Sequence, residues 1–237
     1  MEWSTFGAVL LDLDGVLTPT VEIHQRAWEE AFTAFFSAHG ITPAYTADDY
    51  LRHVDGRPRD DGIRTCLASR GVVLPDGDPD DAPGQATVAG LGNAKNARVA
   101  ELLAEGVEAY PGSLLLLDHL ATLGMPLAVV SSSRNTRAVL RSAGLADRFG
   151  AVVDGVVAAR EGLGGKPAPD TFLRAAALLG VPPDRAVVVE DAVSGVAAGA
   201  AGDFGLVIGV DRGAGEPALT AAGADLVVTD LSELVTS

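Results

Sequence analysis

Short apolar runs alternate with segments of helical periodicity along most of this chain, which strongly limits the folds it can adopt. Such alternation is typical of βα units around a parallel sheet, whose strands are covered on both faces and read as continuous apolar runs. The candidate strands are 8–13, 127–130, 151–153, 186–189, 206–210 and 226–228. The candidate helices between them are 112–123, 137–143, 170–179 and 193–201. The sequence therefore predicts an α/β fold with a Rossmann-like parallel sheet core.

The alternation is interrupted once, between residues 20 and 106, where apolar residues recur at helical spacing without a buried strand. Helices are expected across 23–35, near 63–69 and near 97–103. Within this interval, residues 75–84 are polar and rich in Pro and Gly, which predicts a solvated loop. We therefore expect a core domain of residues 1–19 and 107–237, interrupted by a small helical domain of residues 20–106.

Charge and composition exclude several classes of partner. The chain has 17 basic and 32 acidic residues, a formal net charge of -15, which repels nucleic acid and anionic lipid. No run approaches the roughly twenty apolar residues of a membrane span, and residues 1–6 lack the features of a signal peptide. The single cysteine, Cys66, is expected to be a small buried hydrophobe. These features favour a cytoplasmic protein that binds neither nucleic acid nor membranes.

Polar and charged side chains follow four of the predicted strands, directly or in the next loop. In an open parallel sheet, ligands bind beyond the carboxyl ends of the strands, so these side chains are expected to converge at one edge. The converging residues are Asp12, Asp14, Ser131, Lys166, Glu190 and Asp191.

The spacing of these residues indicates a particular chemistry. Asp12 and Asp14 would face the same way in an extended strand, and two such acids resist ionising together unless a cation lies between them. Glu190 and Asp191 would complete an oxygen-rich shell suited to Mg²⁺. A carboxylate beside such an ion can attack a phosphoryl group, while a hydroxyl and a lysine offset charge on the transferring oxygens.

Each residue also has a simpler interpretation. Asp-x-Asp-Gly is often only a turn, and Asp191 could cap the helix predicted from residue 193. Ser131 could bond to the backbone at a strand end, and Lys166 could be a surface lysine. Their joint occurrence at successive strand ends favours a functional site.

These residues resemble the four motifs of the haloacid dehalogenase (HAD) superfamily, in the family's order: Asp12-Leu-Asp-Gly-Val16, Ser131, Lys166 and Glu190-Asp191. The resemblance implies a HAD fold with an inserted α-helical cap domain, an Asp12 nucleophile and Asp14 as general acid/base. It also implies Mg²⁺ held by Asp12, the Asp14 backbone carbonyl, and Glu190 or Asp191.

Within the superfamily, the inserted domain is similar to the β-phosphoglucomutase-like branch. Three segments carry the likeness: 18–28, Gly56-Arg57-Pro58-Arg59 and Lys95-Asn96. The branch implies substrate contacts from His24, Trp28, Gly56, Arg59, Lys95, Ser133 and Asn135, with Arg59 on the distal phosphate. Pro19, at a hinge position usually occupied by an acid, and a long loop around 76–92 depart from the pattern.

The inserted-domain residues have simpler interpretations too. Trp28 lies on an apolar helical face and could be core, and His24 could be a helix-surface residue. Arg57 and Arg59 could belong to a solvated loop, although two arginines in an acidic protein fit a phosphate.

The resemblance implies Mg²⁺-dependent phosphoryl transfer on a small-molecule sugar phosphate through an aspartyl phosphate. We expect β-glucose 1-phosphate to be converted to glucose 6-phosphate. A sugar-phosphate phosphatase with the same core is the first alternative, and a non-catalytic sugar-phosphate sensor is the second. The presence of Asp12, Asp14 and Lys166 argues against the sensor. The sequence carries no indication of oligomeric state.

Overall fold

The computed structural model describes residues 1–104 and 106–235. The chain divides into two compact units. One consists of residues 1–19 and the described residues from 107 onward, and we refer to it as the core unit. The other consists of the described residues between 20 and 106, the helical unit.

The core unit is built on six parallel strands in the spatial order β3-β2-β1-β4-β5-β6. Their bounds are Ala8–Leu11 (β1), Leu127–Val130 (β2), Ala151–Val153 (β3), Ala186–Glu190 (β4), Leu206–Val210 (β5) and Leu226–Val228 (β6). The central strands β1, β2 and β4 are completely buried, as expected for a sheet covered on both faces. The predicted parallel α/β sheet is confirmed.

The prediction that the first strand continues to residue 13 is wrong, because β1 ends at Leu11. The backbone N–H groups of Leu17 and Thr18 both donate to the Leu13 carbonyl, at 2.9 and 3.0 Å. Leu13 therefore belongs to a turn. Its apolar side chain is nevertheless buried, so the sequence pattern alone cannot distinguish Leu13 from the last residue of a strand. Conversely, β4 continues one residue beyond its prediction, because Glu190 pairs with Gly209 of β5.

Helices connect the strands of the core unit. The α-helices are Pro111–Thr122, Thr136–Ser142, Gly155–Glu161, Asp170–Leu179, Val193–Ala201 and Glu216–Ala221. Short 3₁₀ turns lie at Trp3–Thr5, Pro183–Arg185 and Leu231–Leu234. Two of the four predicted helices have the predicted bounds, and the other two are displaced by one residue. The helices Gly155–Glu161 and Glu216–Ala221 were not predicted.

The helical unit consists of Val21–His39, Ala47–Asp49, Arg59–Ala68 and Val88–Leu103, with a π-helical turn at Tyr50–Val54. Its core is aromatic: Phe32 stacks between Trp28 and Tyr45, with ring centroids 5.2 and 4.9 Å away. Cys66 is fully buried in the same cluster, as predicted, and burial raises the pKa of its thiol to about 12. None of the described helices is both long and apolar enough to span a bilayer.

The predicted bounds of two helices in this unit are wrong. The helix expected near 97–103 begins at Val88, so the irregular segment before it ends at Thr87 rather than near residue 92. The helix expected near 63–69 begins at Arg59. Gly90 and Gly92 both lie within the helix Val88–Leu103, at positions where a side chain would meet a neighbour. A Cβ at Gly90 would lie 2.5 Å from the Gln85 carbonyl oxygen, and one at Gly92 would lie 2.6 Å from Arg59 Nε.

Candidate active site

A buried ion cluster lies at the carboxyl edge of the sheet in the core unit. The Lys166 ammonium donates to Asp12 Oδ1 and to Glu190 Oε1, each at 2.5 Å, and to the Val130 carbonyl at 3.1 Å. Asp12, Lys166 and Glu190 are all at least nine-tenths buried. The structure thus brings together three residues from separate parts of the sequence, as predicted, and excludes a surface position for Lys166.

Backbone hydrogen bonds fix the residues of this edge to neighbouring strands. The Asp12 N–H donates to the Val189 carbonyl of β4 at 2.9 Å, and the Ser131 N–H donates to the Val153 carbonyl of β3 at 3.0 Å. Asp12 and Ser131 therefore have the positional rigidity of the sheet, although both lie just beyond their strands.

The cluster carries more negative than positive charge. Burial raises the pKa of Asp12 well above its ordinary range, and the neighbouring carboxylates of Glu190 and Asp14 act in the same direction, while Lys166 opposes them. For Lys166, burial favours loss of the proton, but the Asp12 and Glu190 carboxylates outweigh it and raise its pKa. One lysine, permanently charged, therefore faces a surplus of acids, an arrangement that an additional cation would stabilise.

The carboxylates of Asp12, Glu190 and Asp191 could supply ligands to that cation. Each offers an oxygen, and the three oxygens lie within 4.8 Å of one another. Glu190 is also fixed on its other side, because its Oε2 accepts the Ala192 N–H at 2.9 Å. Ala192 occupies the N-cap position of the following helix. Asp191 is therefore not the N-cap residue of that helix.

Asp14 is half-buried in the turn that follows β1, where it bridges to Thr18. Gly15 has a φ of +81°, which allows the sharp reversal of the chain. The Gly15 N–H donates to the Thr18 carbonyl at 2.8 Å. Because N–H and C=O of one peptide point in opposite directions, this bond also orients the Asp14 carbonyl. The expectation that Asp12 and Asp14 share one extended strand, and so face the same way, is wrong in its premise, since β1 ends before both.

An arginine missed by sequence reasoning holds the same turn. Arg212 Nε donates to the Gly15 carbonyl at 2.8 Å and its Nη1 donates to the Thr229 carbonyl at 3.0 Å. Its guanidinium carbon lies 4.1 Å from the ring centroid of Tyr110. Arg212 is 197 residues from Gly15 along the chain, and its Nε and Nη1 bond to backbone carbonyls, so no local motif signals it.

The loop after β2 presents hydrogen-bond donors. Ser131 is buried, and its Oγ accepts the Ser133 N–H at 3.1 Å, which leaves the hydroxyl proton to donate elsewhere. The Ser133 hydroxyl in turn accepts the Asn135 N–H at 3.1 Å. The Asn135 Nδ2 is buried and has no hydrogen-bond partner within residues 1–104 and 106–235. A buried amide without a partner is costly, so this donor is poised for a ligand.

A second group of predicted residues lies within the helical unit. The Lys95 ammonium donates to His24 Nδ1 at 2.7 Å and lies 5.1 Å from the centroid of the Trp28 ring. Lys95 and His24 are each only 5% exposed, so His24 is not a helix-surface residue. Trp28 belongs to the aromatic core through Phe32, but it also contacts the lysine.

Arg59 is nine-tenths buried at the start of its helix, which excludes the solvated-loop interpretation. Its Nε donates to Asp60 at 2.7 Å and its Nη1 to the Asn93 Oδ1 at 3.1 Å. Gly56 lies in the turn just before this helix with a φ of +67°. Asn93 was missed by sequence reasoning because it lies between the loop expected around 76–92 and the helix expected near 97–103, where no motif marks it.

Comparison with known proteins matches residues 6–203 to a family model described as a haloacid dehalogenase-like hydrolase. A β-phosphoglucomutase from Mycobacterium bovis is 49% identical over 96% of this chain and 91% of its own length. Hexitol phosphatase A from Escherichia coli is 32% identical over 95% of this chain and 91% of its own length.

Among solved structures, a mutant of CbbY from Rhodobacter sphaeroides, in complex with xylulose-(1,5)bisphosphate, superposes with a TM-score of 0.75. It is 28% identical and covers 97% of this chain and 96% of its own. The chain therefore belongs to the haloacid dehalogenase-like hydrolases, and within them to the β-phosphoglucomutase-like enzymes.

Proposed function

We propose that this enzyme transfers a phosphoryl group of a sugar phosphate through an aspartyl phosphate on Asp12, and that its reaction converts β-glucose 1-phosphate to glucose 6-phosphate. The observation that carries the proposal is the buried contact between Asp12 Oδ1 and the Lys166 ammonium beside Glu190. It fixes one carboxylate oxygen of Asp12 and leaves the second to attack phosphorus.

The donor set fits Mg²⁺. Asp12, Glu190 and Asp191 offer three carboxylate oxygens, the ligands that Mg²⁺ prefers, and their surplus of negative charge requires a cation. Bound there together with the Asp14 carbonyl, Mg²⁺ would neutralise charge on the transferring phosphoryl oxygens.

The protein's own residues would carry the remaining steps. An oxygen of Asp12 attacks phosphorus, the bond from phosphorus to the sugar oxygen breaks, and Asp14 donates a proton to the departing oxygen. The Ser131 hydroxyl and the unpartnered Asn135 amide donate to the phosphoryl oxygens, while the Lys166 ammonium, whose three N–H groups are already used, acts on them through its charge. The phosphoryl group on Asp12 then passes to the 6-hydroxyl of a β-glucose 1-phosphate, which gives its proton to Asp14. The glucose 1,6-bisphosphate so formed reorients and returns its 1-phosphate to Asp12, which leaves glucose 6-phosphate.

The sugar substrate is inferred from the 49% identical β-phosphoglucomutase and from the cations of the helical unit. A mutase must hold a second phosphate while the first is transferred. We assign this role to Arg59 and Lys95, with His24, Trp28 and Gly56 on the rest of the sugar and Ser133 beside Ser131. The acidic charge and single cysteine support a cytoplasmic enzyme.

A sugar-phosphate phosphatase is the second candidate, because hexitol phosphatase A covers nearly the whole chain. The two reactions share every step up to the aspartyl phosphate. They differ in whether a sugar hydroxyl or water attacks it.

Phosphorus NMR of the protein with Mg²⁺, β-glucose 1-phosphate and a trace of glucose 1,6-bisphosphate distinguishes the two. We expect glucose 6-phosphate to accumulate without a matching rise in inorganic phosphate. Inorganic phosphate as the main product would replace the mutase with the phosphatase. No turnover of either kind would contradict the proposed chemistry with this sugar.

A further inference from the structure

Residues 75–87, here called the polar segment, form the irregular and largely exposed loop that their composition predicts, but hydrogen bonds fix its conformation. The Asp81 carboxylate accepts the Asp78 N–H at 3.1 Å and the Thr87 hydroxyl at 2.6 Å. Thr87 caps the next helix by accepting the Gly90 N–H at 2.9 Å. The polar segment is thus fixed to the first turn of the helix Val88–Leu103.

Asn93 joins the polar segment to Arg59. Its Nδ2 donates to the carbonyls of Pro79 and Asp81, each at 2.9 Å. Its Oδ1 accepts from Arg59 Nη1 at 3.1 Å. All three polar contacts of the amide are therefore used in a bridge, which leaves Asn93 one orientation.

Gly92 provides the surface against which Arg59 lies. A Cβ at position 92 would be 2.6 Å from Arg59 Nε and 2.8 Å from Cζ, well inside van der Waals contact. The Arg59 side chain is only 9% exposed, and Asp60 and Asn93 use its Nε and Nη1. Within the described residues no hydrogen bond uses Nη2, so one edge of the guanidinium is left for a ligand.

We propose that the polar segment, acting through Asn93 and with Gly92 as the supporting surface, positions Arg59 to bind the phosphate that is not transferred. This inference rests on the proposed function, which assigns Arg59 to that phosphate. Asn93 and Gly92 are positioning residues: they act through Arg59 and do not themselves bind the substrate. The segment that departs from the family pattern then contributes to substrate selection.

The substitution Gly92→Ala tests the positioning role of Gly92, because it should displace Arg59 without destabilising the fold. Alanine favours a helix over glycine, so the melting temperature should stay the same or rise. The new methyl group must displace the guanidinium, so we expect KM for glucose 1,6-bisphosphate to rise about tenfold, the size of one charged hydrogen bond, with a smaller change in kcat. Gly62→Ala, in the neighbouring helix, is the matched control, since a Cβ there has no contact closer than 3.4 Å.

Three further variants separate the possible outcomes. Arg59→Ala measures the increase in KM when the guanidinium is removed altogether. Asn93→Ala should raise KM by nearly as much. Asn93→Asp keeps an acceptor for Arg59 but loses both donors to the polar segment, and should also raise KM. A wild-type KM in Asn93→Asp would show that the polar segment is dispensable and overturn its part.

If Arg59→Ala raises KM but Gly92→Ala and Asn93→Ala do not, the positioning inference is wrong while the proposed function stands. If Arg59→Ala leaves KM unchanged, the phosphate role assigned to Arg59 is wrong, and the inference fails with it. A loss of melting temperature in Gly92→Ala that parallels its change in KM would indicate a structural role only.

Discussion

The predicted site residues of the core unit and those of the helical unit differ in the charge of the groups that surround their cations. In the core unit, one lysine is enclosed by the carboxylates of Asp12 and Glu190, with Asp14 and Asp191 nearby. In the helical unit the contacts of the cations include uncharged groups: the amide of Asn93 for Arg59, the ring of Trp28 for Lys95. The first group has a surplus of negative charge, whereas the second presents positive charge.

This difference indicates what each group requires from its ligand. A buried surplus of carboxylates is stabilised by a cation and does not by itself attract a phosphate. Two nearly buried cations favour an anion directly. In a chain of net charge -15, substrate binding at the core unit should therefore depend on Mg²⁺, whereas anion binding at the helical unit should not.

The largest effect should come from removing the proposed nucleophile. Asp12→Asn keeps the shape of the side chain but removes the attacking carboxylate, so turnover of β-glucose 1-phosphate should fall by roughly 10⁴-fold or more. Phosphorus NMR measures it, with the exposed Asp147→Asn as the matched control. A rate within tenfold of the wild type would contradict the assignment of Asp12.

The next effect contrasts the two cations in stability. Lys166→Met leaves Asp12 and Glu190 buried without their counter-ion, so the free energy of unfolding should fall by about 3 kcal/mol. Arg59→Ala should cost less than about 1 kcal/mol, since the Asp60 side chain that it leaves is 36% exposed and can be hydrated. Urea denaturation without Mg²⁺ compares them. Equal losses of unfolding free energy in Lys166→Met and Arg59→Ala would contradict the distinction between the site residues of the core unit and those of the helical unit.

The core unit is easier to predict from sequence than the helical unit, for a physical reason. Asp12, Ser131 and Glu190 occur where an apolar run ends, and a parallel sheet necessarily collects such ends at one edge. The local sequence pattern at each strand end is then sufficient to identify residues that are close in space but far apart in sequence. Local pattern cannot find Gly92 and Asn93 in the same way, because they acquire their proposed roles only from Arg59, on another helix.

Contacts to backbone groups are the second reason why some features of the site could not be predicted from the sequence. Arg212 bonds to the carbonyls of Gly15 and Thr229, groups that every residue has, so no residue type in the turn signals a partner. The end of β1 was misplaced for a similar reason: the carbonyl of Leu13 accepts two N–H groups from its own turn, while its side chain looks like that of a strand residue.

A smaller effect should follow from loosening that turn. Arg212→Lys keeps the charge but cannot reach two carbonyls with a planar fork, so the Gly15 peptide loses one of its restraints. We expect kcat to fall about tenfold through misplacement of Asp14, with KM nearly unchanged. Steady-state kinetics at saturating Mg²⁺ measures both. An increase in KM alone would contradict a role through Asp14.

The smallest effect concerns an ion pair of the helical unit that has no assigned role in catalysis. The hydrogen bond from Arg70 lowers the pKa of Asp49, so this pair stabilises the fold above the ordinary pKa of an aspartate, about 3.9, and loses its effect as pH falls through the lowered value. Asp49→Asn should cost about 1–2 kcal/mol at neutral pH. The difference in unfolding free energy between Asp49→Asn and the wild type should vanish in acid.

Urea denaturation across this pH range tests the prediction, with the exposed neighbour Asp48→Asn as the control. Turnover at neutral pH should be unaffected by either variant. A cost for Asp49→Asn that persists unchanged in strong acid would show that the charge of Asp49 is not the source of the stability.

The core unit brings together the two points at which its own chain is interrupted. The Tyr110 N–H donates to the Leu17 carbonyl at 3.0 Å, and the Ser113 hydroxyl donates to the Val16 carbonyl at 2.7 Å. Because these ends are fixed side by side, an insertion between them closes a loop without stretching the sheet, and lengthening it costs little entropy. The whole inserted unit can therefore be replaced as one module in evolution, while the sheet that carries the proposed catalytic residues stays the same.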